Sequence, residues 1–524
     1  MKIGCIQTKA SDLHEFENTA SMILRRIDEA ASMKCELMVF PECVYPSYYV
    51  GTDEDVFLDS MKRLVFLKQE ISERARKYHV YIAAGMMDNS SGKTSNKGIL
   101  WGPDGEVAAE VAKSNMWHFD RKYAFPGKEY QVFETSFGKA GLIVCADGRA
   151  PEICRILALK GARIIIDMAN LVTSGKDLSR VTNPQIDYML PSRARENGVW
   201  LVLADKVGLE AGTVLNSGGS SIINPMGQVI ARASADREEI LTCDIDPFSE
   251  KDRPELPPRE PWRYSIIAEP TEKLPVTENM LSSSTCCRTS EVFVSVVDFI
   301  FSDRESYLDQ AFFFLETLED QDSELICLPS FPIEWGVEDL LLTAAESLVN
   351  DGTLVFAGIH DKKNTIREAA LFSRNGVMAR YSPSGDRDDL PVFDTLLGRI
   401  GVCIDRDVLV PEVIRCMMLE GVFLVICADT SFEGITESVS RTRASENRIF
   451  LARLKSREHG DNSYIVNPGG QIIASTAPGM NQAASALVNP LMAFSKTVVP
   501  GTNVVLGRRP ELYGELVIQR STER

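Results

Sequence analysis

Gly141-Leu142-Ile143-Val144-Cys145-Ala146-Asp147-Gly148-Arg149-Ala150-Pro151-Glu152 passes from an apolar run through a polar turn into the amphipathic stretch Ile153-Cys154-Arg155-Ile156-Leu157-Ala158-Leu159. The pattern predicts a strand, a sharp turn and a helix. Pro151 suits the first helical turn, where its missing N–H is no loss, and Glu152 suits the positive end of the helix dipole. Cys145 then stands rigidly at the tip of a strand. Backbone N–H groups just after it are aimed by the turn at an oxyanion formed when the thiol attacks, the logic of a nucleophile elbow. The segment therefore points to covalent catalysis on an α/β scaffold.

Outward from this segment, the two halves of the 524-residue chain repeat one another in order. Glu36-Leu37-Met38-Val39-Phe40-Pro41-Glu42 answers to Glu324-Leu325-Ile326-Cys327-Leu328-Pro329-Ser330. Gly138-Lys139-Ala140-Gly141 with Pro151-Glu152 answers to Gly398-Arg399-Ile400-Gly401 with Pro411-Glu412. Glu196-Asn197 matches Glu446-Asn447, and Ile222-Ile223-Asn224-Pro225-Met226-Gly227-Gln228 matches Ile465-Val466-Asn467-Pro468-Gly469-Gly470-Gln471. Between the copies, the polar stretch Glu269 to Glu278 and Ser282-Ser283-Ser284 has no hydrophobic period and reads as a linker. The expected division is a first domain over 1–268, a linker over 269–290 and a second domain over 291–524.

Composition narrows the class. A hydrophobic content of 44% fits a globular chain with sizeable cores, and a net charge of −18 gives no basic footprint for nucleic acid or anionic lipid. No run approaches the roughly 18 apolar residues of a membrane helix, and Met1-Lys2-Ile3-Gly4-Cys5-Ile6-Gln7 reads as a first strand rather than a signal peptide. The twelve cysteines include one adjacent pair, Cys286-Cys287, and form neither CxxC pairs nor zinc-type Cys/His sets. Reduced thiols and a cytoplasmic location are expected, with no metal and no cofactor.

Glu42 follows an apolar run and should stand at a strand end, as Cys145 should, which is where α/β folds gather their sites. A carboxylate there takes the thiol's proton and returns it to a leaving amine. A cation should aid the oxyanion; Lys113 and Lys122 both qualify by composition. These pieces, with the stretch Asp120-Arg121-Lys122-Tyr123-Ala124-Phe125-Pro126-Gly127, resemble the nitrilase, or carbon–nitrogen hydrolase, superfamily. The resemblance implies two tandem four-layer αββα sandwiches, a Glu42, Lys113 and Cys145 triad with thioester chemistry, and no cofactor. Counting eight residues from Gly105, as in that family, selects Lys113; the family's further glutamate is here Asp120.

Nitrile-hydrolysing members commonly carry Trp-Glu after the cysteine, whereas this chain has Ala146-Asp147-Gly148-Arg149, nearer to amidases and N-carbamoyl amino acid hydrolases. Arg149 matches an arginine that binds the substrate carboxylate in D-amino-acid carbamoylases, although the neighbouring second arginine is Gly148 here. The implied function is cysteine-dependent hydrolysis of an amide or ureido C–N bond, with nitrile hydrolysis or a non-catalytic scaffold as alternatives. The Ala146 N–H is expected in the oxyanion site, Asn170 and Tyr49 along the pocket beside Tyr48, and His118 in a loop. In the second copy Glu42, Lys113 and Cys145 align with Ser330, Ser384 and Asp405, while Cys403 falls two residues early. That copy is expected to be silent and structural, paired with the first within one chain, and a homo-oligomer remains the open alternative.

Overall fold

The computed structural model describes residues 1–51, 53–89, 92–173, 181–251, 253–281, 290–363, 365–382, 390–428, 436–455 and 462–519. The chain forms two compact units, Met1–Leu256 with Val499–Thr502, and Pro257–Val498 with Asn503–Arg524.

In the first unit the elements are β1 (Lys2–Lys9), α1 (Phe16–Ser32), β2 (Leu37–Val39), α2 (Glu54–Tyr78), β3 (Tyr81–Asp88), β4 (Ser95–Trp101), β5 (Val107–Ala112), α3 (Asp120–Tyr123), β6 (Val132–Thr135), β7 (Gly138–Val144), α4 (Pro151–Leu159), β8 (Ile164–Met168), α5 (Leu190–Asn197), β9 (Trp200–Ala204), β10 (Lys206–Glu210), β11 (Val214–Ser217), β12 (Ser221–Ile223), β13 (Val229–Arg232) and β14 (Glu239–Asp244). One sheet runs β11-β10-β1-β2-β3-β4-β5, with β14 also on β1; the other runs β13-β12-β9-β8-β7-β6. Period-two alternation sends Leu37 and Val39 of β2 into the core between the sheets, with Leu142, Val144, Ile164 and Ile166. Met38 and Phe40 point the other way, under α1 and α2. The spacing of Ala20, Ile23, Leu24 and Ile27 gives α1 one apolar face for that layer. Leu157 of α4 meets Gly141 of β7 and covers the second sheet, so four layers result, helix, sheet, sheet, helix.

The second unit contains α6 (Pro275–Leu281), β15 (Val292–Asp298), α7 (Arg304–Asp320), β16 (Leu325–Pro332), α8 (Val337–Ser347), β17 (Leu354–His360), β18 (Ile366–Ser373), β19 (Gly376–Tyr381), β20 (Val392–Thr395), β21 (Gly398–Ile404), α9 (Pro411–Leu419), β22 (Leu424–Ala428), α10 (Thr436–Asn447), β23 (Phe450–Leu454), β24 (Tyr464–Val466), β25 (Ile472–Ser475) and β26 (Gln482–Val488). Its sheets, β19-β18-β17-β16-β15-β26 and β20-β21-β22-β23-β24-β25, repeat the strand order of the first unit without its β10 and β11. The same buried arginine recurs too. Arg193 donates to the Gly148 and Arg149 carbonyls and pairs with Glu196 at 2.8 Å, as Arg443 donates to the Val408 and Leu409 carbonyls and pairs with Glu446 at 2.9 Å.

The units divide at Leu256/Pro257, ahead of the expected end of the first domain at 268. Pro261–Ala268 forms a 3-10 segment whose Tyr264 and Ile267 are buried, and Leu274 and Val276 are buried around the start of α6. Apolar anchors inside a polar, proline-containing stretch thus give the 269–290 linker elements of its own over Thr271–Lys273 and Pro275–Leu281. Cys286-Cys287 and Ser384 lie outside the described residues.

Candidate active site

The elbow forms as its sequence predicts: β7 ends at Val144, a tight turn spans Cys145–Arg149, and α4 begins at Pro151. Cys145 adopts the left-handed conformation, φ +52°, at a non-glycine position, which costs about 1–3 kcal/mol and is held only because the surroundings fix it. Its N–H donates to Asp167 Oδ1 at 2.9 Å, and its carbonyl accepts from Gln185 Nε2 at 2.9 Å. Asn115 Nδ2 donates to the Ala146 carbonyl at 2.7 Å. The peptides on either side of the thiol are therefore pinned by side chains from three other segments.

Glu42 is brought beside this turn by the end of β2. Its N–H donates to the Ala169 carbonyl, and a Cβ at Gly85 would lie 2.5 Å from Glu42 Cα, so β3 approaches closely only because that residue is glycine. Glu42 Oε1 accepts from Lys113 Nζ at 2.7 Å and from Asn96 Nδ2 at 2.6 Å. Oε2 is buried without a hydrogen-bond partner and is the oxygen left to receive a proton. Lys113 follows β5; its N–H donates to the Asn96 carbonyl, and its own carbonyl accepts from Gly127, where any Cβ would collide with the Ala112 carbonyl. Its ammonium bridges Glu42 and Asp120 Oδ2, the latter at 2.8 Å. The aspartate's shorter side chain thus still reaches the lysine. Lys113 is fully buried, whereas Lys122 is exposed on α3.

Burial pushes the Cys145 thiol well above its ordinary pKa, and the Glu42 carboxylate adds to this while Lys113 opposes it. The resting sulfur is a thiol that needs a base. Burial lowers Lys113, but the Asp120 and Glu42 carboxylates outweigh it and hold the ammonium charged, with a pKa well above the usual lysine value.

The other expected residues are nearby. Asn170 is buried, its carbonyl 3.7 Å from Cys145 Sγ, and both polar atoms of its side chain lack hydrogen-bond partners. Arg149 is half-buried with its guanidinium 4.9 Å from the Trp117 ring centre. Tyr49 stands edge-on to Phe119 and Tyr123, and the Tyr48 ring lies 5.7 Å from Lys113 Nζ. His118 sits in the turn before α3, edge-on to Phe119. Ala146 is buried at the elbow. Among the described residues no His, Cys, Asp or Glu group is arranged to hold a metal ion, and no helix is long and apolar enough to cross a membrane.

Asn96, Asp147 and Asp167 join the site without having been singled out as site residues by the sequence. The Asn96 side chain holds Glu42, so Asn96→Ala is expected to lower turnover about tenfold by letting that carboxylate shift, with a kcat effect exceeding any change in KM. Asp147 Oδ1 accepts the Ser114 and Asn115 N–H groups at 3.0 and 2.7 Å, and Oδ2 accepts Val144 N–H at 3.1 Å. It ties the segment after Lys113 to the elbow. Burial raises its pKa to about 6 against the opposing hydrogen bonds. A carboxyl that binds its proton more tightly when folded favours folding at low pH, and that contribution is lost as pH rises from about 4 to about 6. At 1.36 kcal/mol per unit the change is about 3 kcal/mol. Thermal unfolding of the wild type and Asp147→Asn between pH 4 and 7 should show their stability difference moving by that order, against the wild type as pH rises.

In the second unit Asp405 opens the matching turn Asp405–Leu409, and Cys403 lies buried within β21 opposite Cys427 of β22. Ser330 lies within β16.

The first unit is thus a four-layer α/β sandwich that holds a buried carboxylate, ammonium and thiol at its strand ends. The chain belongs to the carbon-nitrogen hydrolase family, whose profile matches residues 2–251 and again 304–488. It is 32% identical over 252 residues to a nitrilase of Pyrococcus abyssi, covering 47% of this chain and 90% of the relative. It is 30% identical over 232 residues to omega-amidase NIT2 of Danio rerio, covering 42% of this chain and 79% of the relative. An amidase from Nesterenkonia sp. of known structure is 22% identical, with a TM-score of 0.42 over 48% of this chain and 93% of that one.

Proposed function

We propose that the first unit hydrolyses the C–N bond of a small amide or N-carbamoyl compound through a Cys145 thioester. The observation that carries this reading is the buried Lys113 ammonium shared by Glu42 and Asp120 beside the buried Cys145 thiol. Glu42 takes the Cys145 proton, and sulfur attacks the carbonyl carbon. Lys113 and the Ala146 N–H meet the charge that develops on oxygen. The C–N bond breaks as Glu42 returns the proton to nitrogen, releasing ammonia or an amine. Water, deprotonated by Glu42, then cleaves the thioester and restores the thiol.

Arg149 is the residue we assign to a substrate carboxylate, a reading supported by its position four residues after Cys145 and by the guanidinium's capacity for bidentate pairing. The amidase named among the relatives supports amide chemistry; the nitrilase keeps nitrile hydrolysis by the same three residues as the second reading. Ammonia release across primary amides, N-carbamoyl amino acids and nitriles decides between them. Turnover of amides or carbamoyl compounds supports the proposal, release from nitriles alone replaces it, and silence across the panel favours a scaffold.

A further inference from the structure

A buried ion pair outside the Glu42, Lys113 and Cys145 centre grips the loop that leaves Glu42. Lys206 and Glu210 stand at the two ends of β10, four residues apart and so on one face of the strand. Both are essentially inaccessible, at 2% and 0% exposure. Glu210 Oε1 accepts two consecutive backbone N–H groups, Tyr48 at 2.7 Å and Tyr49 at 2.6 Å. Its Oε2 accepts from Lys206 Nζ at 3.2 Å, and the same ammonium donates to the Cys43 carbonyl at 2.9 Å. The pair therefore fixes the loop at both ends, through hydrogen bonds that charge makes roughly twice as strong as neutral ones.

What the loop carries is aromatic. Tyr48 lies 5.1 Å from Phe119, Tyr49 lies 5.8 Å from Phe119 and 6.3 Å from Tyr123, and Phe119 lies 5.9 Å from Tyr123, all between ring centres. Tyr48 lies against Lys113 and Cys145 is only 5% exposed, so the four linked rings join the Glu42, Lys113 and Cys145 centre through Tyr48.

The second unit supplies an internal control. Asp147 persists there as Asp407, which accepts the Ile404 N–H at 3.2 Å just as Asp147 accepts that of Val144. The turn aspartate thus belongs to the fold. The clamp does not: residues 205–220 between β9 and β12 make room for β10 and β11, whereas the corresponding stretch in the second copy is only 455–463. Counted from the matched Pro41 and Pro329, the positions of Tyr48 and Tyr49 hold Gly336 and Val337. Clamp and tyrosines occur in the copy that has Glu42, Lys113 and Cys145.

We propose that the Lys206–Glu210 pair is a positioning clamp that holds Tyr48 and Tyr49 in an aromatic collar over Cys145 and restricts the site to small acyl compounds. The substrate-size claim rests on the hydrolase reading above; the clamp itself is read without turnover. Cys145 alkylation by iodoacetamide and by its N-benzyl analogue, followed by mass spectrometry of the Cys145 peptide, gives a ratio independent of the active fraction. In Glu210→Ala the bulky-to-small rate ratio should rise at least tenfold over the wild type. Glu210→Gln, which keeps an oxygen for the two N–H groups, should give a smaller rise and secures the test if the alanine variant fails to fold. A ratio unchanged in every variant, or no alkylation by either reagent in any of them, would overturn the clamp. A shifted ratio in a protein that hydrolyses nothing in the ammonia panel would leave the clamp standing and remove the hydrolase reading.

Discussion

Cys145→Ala is expected to abolish ammonia release, a loss of at least about a thousandfold, while the protein stays folded. The thiol is the only atom group removed, and the elbow that holds it is fixed by the side chains of Asp167, Gln185 and Asn115, each hydrogen-bonded to the elbow's backbone rather than to sulfur. Alanine also retains the φ +52° backbone without adding bulk to it. The stability change should therefore stay near 1 kcal/mol, the scale for losing one small buried group. Residual turnover from the second copy is not expected, because Cys403 is buried inside β21, two residues ahead of the turn that begins at Asp405. Cys403→Ala should accordingly leave the rate untouched. Ammonia release measured on both variants, with thermal unfolding alongside, checks the pair of outcomes. Full activity in Cys145→Ala would end the thioester mechanism.

The elbow was legible because several local signals agree there: an apolar strand, a polar turn, proline at the first helical turn and an acid at the dipole's positive end. The two-copy architecture was legible from the order of its repeats, and both sandwiches follow that order apart from β10 and β11, which only the first has among the described residues. Position along the family pattern separated Lys113 from Lys122, and the structure gives the physical reason, since one is buried between two carboxylates and the other faces solvent. Other partners left weaker traces. Asn96 lies in the polar run Lys93 to Lys97, which reads as an ordinary turn although it opens β4. Lys206 and Glu210 alternate with Val207 and Leu209 like any solvated edge strand; only the return of the Cys43–Tyr49 loop, more than 150 residues earlier in the chain, makes them a buried pair. Asp167 carries a signal of its own, because a carboxylate directly after Ile164-Ile165-Ile166 in a buried strand must find a donor.

Lys113→Met should damage both stability and activity, and a second substitution should separate the two. Fully buried between Glu42 and Asp120, Lys113 compensates two carboxylates at once. Removing one partner from a buried ion pair typically costs about 3–5 kcal/mol, because the remaining charge has lost both water and counter-ion. In the proposed mechanism turnover should fall at least about a thousandfold, since the oxyanion would lose its cation and the Glu42 carboxylate would no longer be held by the ammonium. Adding Asp120→Asn removes one of the uncompensated charges. Lys113→Met/Asp120→Asn should thus recover a substantial part of the stability seen in chemical denaturation, yet none of the ammonia release. Recovery of both together would mean that Lys113 serves only to neutralise buried acid, and the chemistry assigned to its ammonium would have to pass to the backbone N–H groups of the elbow.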